Sequence, residues 1–250
     1  MPDKADYLLI DVSNSFTKVA FASKARIRRP TRIATRELNR EWLRKLIRGT
    51  APLRLVVSSV VPKKNKAIKQ AAPESDILWV DPRSNLGVAI DYPRPYSIGA
   101  DRLANAAAVV ALHGYPAIVV DFGTAVTFDI VSQKRSYVGG VIAPGLEAMT
   151  AFLHQRTALL PKISLREPAK AIGKSTTEAM RAGAVFGYRG LVREILRGIE
   201  KESPDGKAVV VATGGYAKLI AAKLPEIDLV HPNLTLEGLR IIGNLNEVSQ

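Results

Sequence analysis

Asp11, Val12, Ser13, Asn14, Ser15, Phe16, Thr17 and Lys18 follow one another at the end of the apolar run YLLIDV. A carboxylate at a strand end, then a turn of small hydroxyl and amide side chains, suits the presentation of backbone N–H groups to a phosphate. Asp121-Phe122-Gly123-Thr124 repeats that chemistry 110 residues later, and Gly123 lets the backbone approach a ligand closely. A single Asp-x-Gly-Thr is an ordinary turn. Two of them at matching places in two halves of one chain are far more specific. A third glycine turn, Thr213-Gly214-Gly215, lies between a strand and a helix, where a nucleotide can rest against backbone.

The elements that must position these residues alternate between strand and helix. The first half reads as strands over 7–12 and 17–22, a basic helix over 36–49, a strand over 53–60, a lysine-rich helix over 63–72 and a strand over 77–80. Pro73, Pro82, Pro93 and Pro95 flank that last strand, and the domain boundary is expected within 96–100. An alanine-rich helix follows over 101–113. Its apolar residues run almost all round, which fits burial against another helix or subunit. The second half repeats the plan: strands over 117–122, 126–131 and 137–144, helices over about 145–156, 175–201, 215–223 and 235–244, and a strand over 208–213. The expected fold class is α/β, two similar halves covering 1–98 and 99–250, each a sheet with helix layers on it.

Composition narrows the chemistry. The 250 residues contain no cysteine, which removes disulfides, thiolate metal sites and cysteine nucleophiles. The three histidines, His113, His154 and His231, stand in no ligand spacing, so a zinc site or a histidine triad is not expected. The N-terminus lacks the basic-then-apolar layout of a signal peptide, and no apolar run reaches the length of a membrane span, so a cytoplasmic protein without a membrane partner is expected. The net charge of +13 is concentrated. Residues 24–70 hold fifteen Lys or Arg against Glu37 and Glu41, and the rest of the chain balances. Arg36, Arg40, Arg44 and Arg48 would form one stripe of a helix, with Leu38, Trp42, Leu46 and Ile47 opposite. A basic surface can serve nucleic acid, but no stacking aromatics or known nucleic-acid motif accompany it, so a solvated face is preferred.

The string DVSNSFTK resembles the first phosphate motif, Asp-x-Gly-Asn-Thr-x-x-Lys, of type III pantothenate kinases, the Bvg accessory factor family. The likeness continues through GADRLANAAAV, VVDFGTAVTFDIV, YVGGVIAPGLEAM, TALLPKI, IGKSTTEAMRAG and VATGGYA, in the family's order and spacing. It implies two duplicated ribonuclease-H-like domains of the acetate/sugar kinase, Hsc70 and actin fold, with ATP in the cleft. It implies pantothenate and ATP as substrates, Mg²⁺ or a similar divalent cation, K⁺ or NH₄⁺ as monovalent cation, and a homodimer whose subunits share the active site.

Residue by residue, the resemblance makes Asp101 the base that takes the proton from the primary hydroxyl of pantothenate. From its position alone Asp101 is equally a helix N-cap, and the two roles are compatible. Arg102 would hold the substrate carboxylate through its planar fork. Gly99 and Ala100 would line the pocket through backbone, and Tyr92 and Thr176 would contact substrate. Thr176 also reads as a helix cap beside Ser175. Asp121 matches the monovalent-cation position and Thr124 an ATP contact. Asp11 would orient Mg²⁺, directly or through water, while Asn14, Ser15 and Lys18 cradle phosphates. The chain departs from the family at Ser13, where the motif has glycine. A serine there adds a Cβ close to phosphate, and strain is expected if the position needs positive φ. An inactive or weakly active homologue with a regulatory or nucleic-acid role is the alternative.

Overall fold

A computed structural model describes residues 5–48, 50, 52, 54–203 and 206–247. Contacts group the chain into two units. The first comprises Met1–Gly114, Arg135–Tyr137 and Asn233–Gln250, and the second Tyr115–Lys134 and Val138–Pro232. Where the sequence suggests a division at 98/99, contacts gather the alanine-rich helix and the C-terminal helix with the first sheet.

The first unit contains β1 (Tyr7–Val12), β2 (Phe16–Ala22), β3 (Thr31–Ala34), α1 (Arg40–Ile47), β4 (Arg54–Ser59), α2 (Pro62–Ala71), β5 (Asp76–Trp79), β6 (Ala89–Ile90) and α3 (Ala100–His113), with the last helix of the chain, α7 (Leu234–Leu245). Its main sheet runs β3-β2-β1-β4-β5. All six residues of β1 are buried, as a strand covered on both faces requires. Leu8, Ile10, Val12, Val19, Leu55 and Val57 form a core with Leu38, Leu43 and Ile68 from the segments of α1 and α2. On β1 and β4 lies α7, which in turn packs along α3.

The expected basic helix over 36–49 is broken. Thr35–Glu37 form a 3₁₀ turn, Leu38 is buried, and Asn39 caps α1 by accepting the Trp42 N–H at 2.9 Å. The cap holds Asn39 in extended backbone, so Arg36 leaves the stripe, and Arg48 stands at the C-cap. Gly49 and Leu53, parts of the expected helix and strand, lie outside the described residues. The basic segment is partly structural. Lys64 Nζ donates to the carbonyls of Arg36 and Leu38, and Arg54 pairs with Asp76 at 2.5 Å.

The second unit contains β7 (Ala117–Phe122), β8 (Ala125–Val131), most of β9 (Ser136–Pro144), α4 (Leu146–Arg156), α5 (Thr176–Glu202), β10 (Val209–Gly214), α6 (Ala217–Ala221) and β11 (Leu229–Val230). Its strands follow the order β11-β10-β7-β8-β9. Ser136 and Tyr137 open β9, pair with Ala89 and Ile90 of β6, and group with the first unit. Ile118, Val120, Phe122, Val126, Phe128, Val210 and Ala212 pack under Leu146 of α4, Val185, Tyr188, Val192 and Leu196 of α5, and Ala217 and Ile220 of α6.

The duplication read from the sequence is present strand for strand. In each unit the strand carrying the motif aspartate pairs antiparallel with the next strand and parallel with a later one: β1 with β2 and β4, β7 with β8 and β10. Asp11 and Asp121 both occupy the fifth place of their strands.

Candidate active site

In the first unit the β1–β2 hairpin turns through Ser13, Asn14 and Ser15. The Ser13 N–H donates to the Phe16 carbonyl at 3.2 Å. Thr35 holds the turn from beneath: its Oγ1 donates to the Ser13 carbonyl at 2.7 Å and lies 3.0 Å from Thr17 Oγ1, and its N–H donates to the Ser15 carbonyl at 3.0 Å. Asn14, Ser15 and Phe16 are exposed and Lys18 half-buried, whereas Val12 and Thr17 have no exposed surface. The side chains of Val12 and Thr17 therefore face the core and can meet a ligand only through backbone. Arg32 lies 4.0 Å from the centre of the Phe16 ring, adding a cation at the rim of the turn. Among the non-glycine residues described, only Arg135 has positive φ, so the condition for left-handed strain at Ser13 is not met.

Beside β1, Ser58 stands in register with Asp11 on the parallel strand β4, so the two side chains share a face. Ser58 is fully buried, and its Oγ has no hydrogen-bond partner among the described residues. The second unit repeats this. Thr213 stands in register with Asp121, is fully buried, and its Oγ1 has no hydrogen-bond partner among the described residues. Two such hydroxyls at equivalent places are groups that a ligand or an ordered water can complete. Gly214, with φ +92°, completes the turn after Thr213, and a β-carbon there would fall 2.5 Å from Asp121 Oδ1 and 2.6 Å from the Phe122 backbone. Gly145 makes a similar approach to Thr124, whose carbonyl oxygen would sit 2.3 Å from an added β-carbon. Thr124 itself is exposed.

Gly99 is the N-cap of α3, so Asp101 is not the cap but the second residue of the helix. Its Oδ1 accepts the Arg102 N–H at 2.9 Å and sits in the space a side chain at residue 99 would need. The same space is bounded by Val60 Cγ1, and the Val60 N–H donates to the Val12 carbonyl at 3.0 Å. Gly99, Ala100 and Asp101 thus reach the end of β1 and β4 through one residue. Thr176 is likewise not a cap. Ser175 caps α5 by accepting the Glu178 N–H at 3.3 Å, Glu178 Oε2 accepts the Lys174 N–H at 2.7 Å, and Thr176 is exposed on the first turn.

Tyr92 and Arg102 converge on Tyr137, a residue the sequence did not single out. The Tyr92 ring meets the Tyr137 ring edge-on, 6.2 Å apart at 70°, and the Arg102 guanidinium carbon lies 5.7 Å from the Tyr137 ring centre. Thr35, Ser58 and Arg32 were missed as well. Each acts through a register or a loop closure that spacing along the chain does not encode.

Among the described residues no group of three or more His, Cys, Asp or Glu side chains stands ready to hold a metal ion. A divalent ion bound mainly by phosphates and one or two carboxylates needs no such cage, and Asp11 beside the Ser58 hydroxyl fits that demand. No helix is long and apolar enough among the described residues to cross a membrane.

The chain is similar to known proteins in sequence and in fold. A sequence model of the family described as type III pantothenate kinase matches residues 7–198. A type III pantothenate kinase of Akkermansia muciniphila is 50% identical over 242 residues, covering 96% of this chain and 99% of its own. One of Methylacidiphilum infernorum is 45% identical over 240 residues, covering 95% and 88%. The solved structure of an inorganic polyphosphate/ATP-glucomannokinase from Arthrobacter is similar in fold, with a TM-score of 0.52 over 98% of this chain and 100% of its own at 15% identity.

Proposed function

The chain belongs to the type III pantothenate kinase family, and from that premise we propose how its own residues divide the work. The reaction moves the γ-phosphoryl group of ATP to the primary hydroxyl of pantothenate, giving 4′-phosphopantothenate, the first step toward coenzyme A. Asp101 is the base. A carboxylate is intrinsically weak toward an alcohol, but in a loose phosphoryl-transfer transition state the proton leaves late, so placement outweighs basicity. The observation that carries this role is the hollow at Gly99, which seats the Asp101 carboxylate beside Val60 and so next to the strand end that opens the phosphate turn.

Arg102 receives the pantothenate carboxylate in its fork, Tyr92 flanks it, and Gly99 and Ala100 contribute backbone. Thr176 supplies a hydroxyl to the substrate. The turn from Asp11 to Lys18 holds phosphates, with Asn14, Ser15 and Lys18 as side-chain donors and Val12, Phe16 and Thr17 contributing main chain, while Ser13, its N–H given to Phe16, shapes the turn. Thr124 contacts ATP. Asp11, with Ser58, would hold Mg²⁺ directly or through water. The ion, when bound, neutralises charge on the β- and γ-phosphates. Asp121 with the unmatched Thr213 hydroxyl suits a monovalent cation such as K⁺ or NH₄⁺.

The working form is a homodimer in which each active site is shared. The second unit leaves Ile142 of β9, Met149, Phe152 and Leu153 of α4 and Phe186 of α5 exposed, and this apolar surface supports the reading that a second copy covers it. A cytoplasmic location, where ATP is at hand, completes the proposal. The test is ADP release with pantothenate, with and without K⁺. Asp101→Asn is expected to lower turnover by about a thousandfold or more while the protein stays folded. Turnover kept within a few-fold would remove Asp101 from the chemistry.

A further inference from the structure

Tyr137 is 1% exposed, and its backbone is tied to the segment that leads into Tyr92. It stands in register with Ile90, its carbonyl accepts the Asp91 N–H at 2.9 Å, and two residues earlier the Arg135 carbonyl accepts the Ala89 N–H at 3.1 Å. The ring that this backbone fixes touches two residues from different parts of the chain: the edge-on ring of Tyr92 and the guanidinium of Arg102. A guanidinium drawn toward an aromatic ring is restricted in the orientations it can take.

We infer that Tyr137 is a positioning residue of the substrate pocket: its ring aims the Arg102 fork at the substrate carboxylate, and its backbone sets the path of the chain to Tyr92. The inference rests on the proposed role of Arg102 and sharpens it. An arginine has a long stem with many rotamers, and ordering that stem at the moment of binding costs affinity. An arginine already held against a locked ring has lost that freedom before the substrate arrives. The effect belongs to the carboxylate end of pantothenate, remote from the hydroxyl that reacts and from the triphosphate. It acts on binding rather than on the phosphoryl transfer.

The experiment compares Tyr137→Leu, Tyr137→Met and Tyr137→Phe with the parent protein. KM for pantothenate is expected to rise about tenfold in the leucine and methionine variants, with kcat within about threefold and KM for ATP within about twofold. The phenylalanine variant keeps the ring and is expected to stay within about threefold of the parent in every constant. Pantothenol, which has an alcohol in place of the carboxylate, should be handled about equally by all four proteins. A general loosening of the fold would raise KM for ATP and for pantothenol too, and that result overturns the inference. So does a phenylalanine variant as impaired as leucine, or a leucine variant with unchanged KM for pantothenate. Failure of both non-aromatic variants to fold also overturns it, assigning Tyr137 to structure alone. Arg102→Gln serves as the control. If it raises KM for pantothenate and Tyr137→Leu does not, only the positioning role falls. If Arg102→Gln changes nothing, the carboxylate contact itself is elsewhere.

Discussion

Asp101 Oδ1 lies 2.5 Å from the point a β-carbon on Gly99 would occupy, so the carboxylate fills the space the glycine leaves. The backbone of Gly99, at φ −60° and ψ 139°, is open to any residue, and only this contact excludes one. Gly99→Ala is expected to push the carboxylate aside and lower kcat about 10- to 100-fold, since displacements of an ångström or so have that effect. The stability cost is expected to be about 1 kcal/mol, because glycine is a better N-cap than alanine. Steady-state kinetics beside thermal unfolding separates the two. A variant as active as the parent would show that Asp101 tolerates the shift.

Gly238 of α7 meets Ala104 of α3 at closer range: an added β-carbon would stand 1.9 Å from the Ala104 carbonyl oxygen and 2.6 Å from its carbonyl carbon. Helix propensity alone favours alanine over glycine by about 1 kcal/mol. Here the obstacle is backbone, which cannot swing away, so the helices must separate. Gly238→Ala is expected to destabilise by about 3 kcal/mol. Urea unfolding measures it, and a stabilised variant would mean the helices part easily.

Ser13→Gly should do little for activity. Ser13 has no positive φ to relieve, and its N–H and carbonyl are already engaged with Phe16 and Thr35. The expected result is a stability loss of about 0.5–1 kcal/mol from added backbone freedom and a KM for ATP within about twofold of the parent. A large fall in KM would mean that the serine side chain obstructs the triphosphate.

Arg189 of α5 is almost fully buried and holds Glu167 in a two-pronged pair at 3.0 and 2.6 Å, while its other donors reach the carbonyls of Leu219 and Ile220. The hydrogen bonds from Arg189 hold the Glu167 carboxyl below the ordinary carboxylate range. A folded-state pKa below the unfolded value gives stability that is present above about pH 4.3, the unfolded glutamate value, and is lost as pH falls through the folded pKa. Glu167 is half-exposed, so screening keeps the contribution near ~1 kcal/mol. Glu167→Gln is therefore expected to be less stable than the parent by about that much at neutral pH, the gap closing below about pH 4. A gap that persists in strong acid would assign the effect to shape rather than charge.

The exposed apolar residues of the second unit predict the assembly. Phe152 on α4 is 58% exposed and Ile142 on β9 63%. Phe152→Asp is expected to halve the sedimenting mass of a dimeric parent, because a buried unpaired carboxylate costs several kcal/mol. Analytical ultracentrifugation decides it, and a parent that sediments as a monomer removes the dimer.

The amino-acid sequence determined the strands that carry the two motif aspartates. Apolar runs such as 7–12 and 117–122 must be strands covered on both faces, and each carries its aspartate at a fixed place near its end. The start of α5 at 175 was legible for the same local reason, since the cap Ser175 and the N–H it accepts, that of Glu178, lie within one turn. The break in the basic helix lay in a local signal that the arginine spacing masked, Asn39, whose side chain caps α1 by accepting the Trp42 N–H. Side chains whose meaning depends on another segment were silent. Ser58 and Thr213 acquire their place beside Asp11 and Asp121 only through parallel register, Tyr137 through pairing with Ile90, and Gly238 through its crossing with Ala104. Local sequence sets periodicity and capping, whose partners are a few residues apart. Register and close approach are set when distant segments compete for the same space, and that competition is settled only by the folded chain.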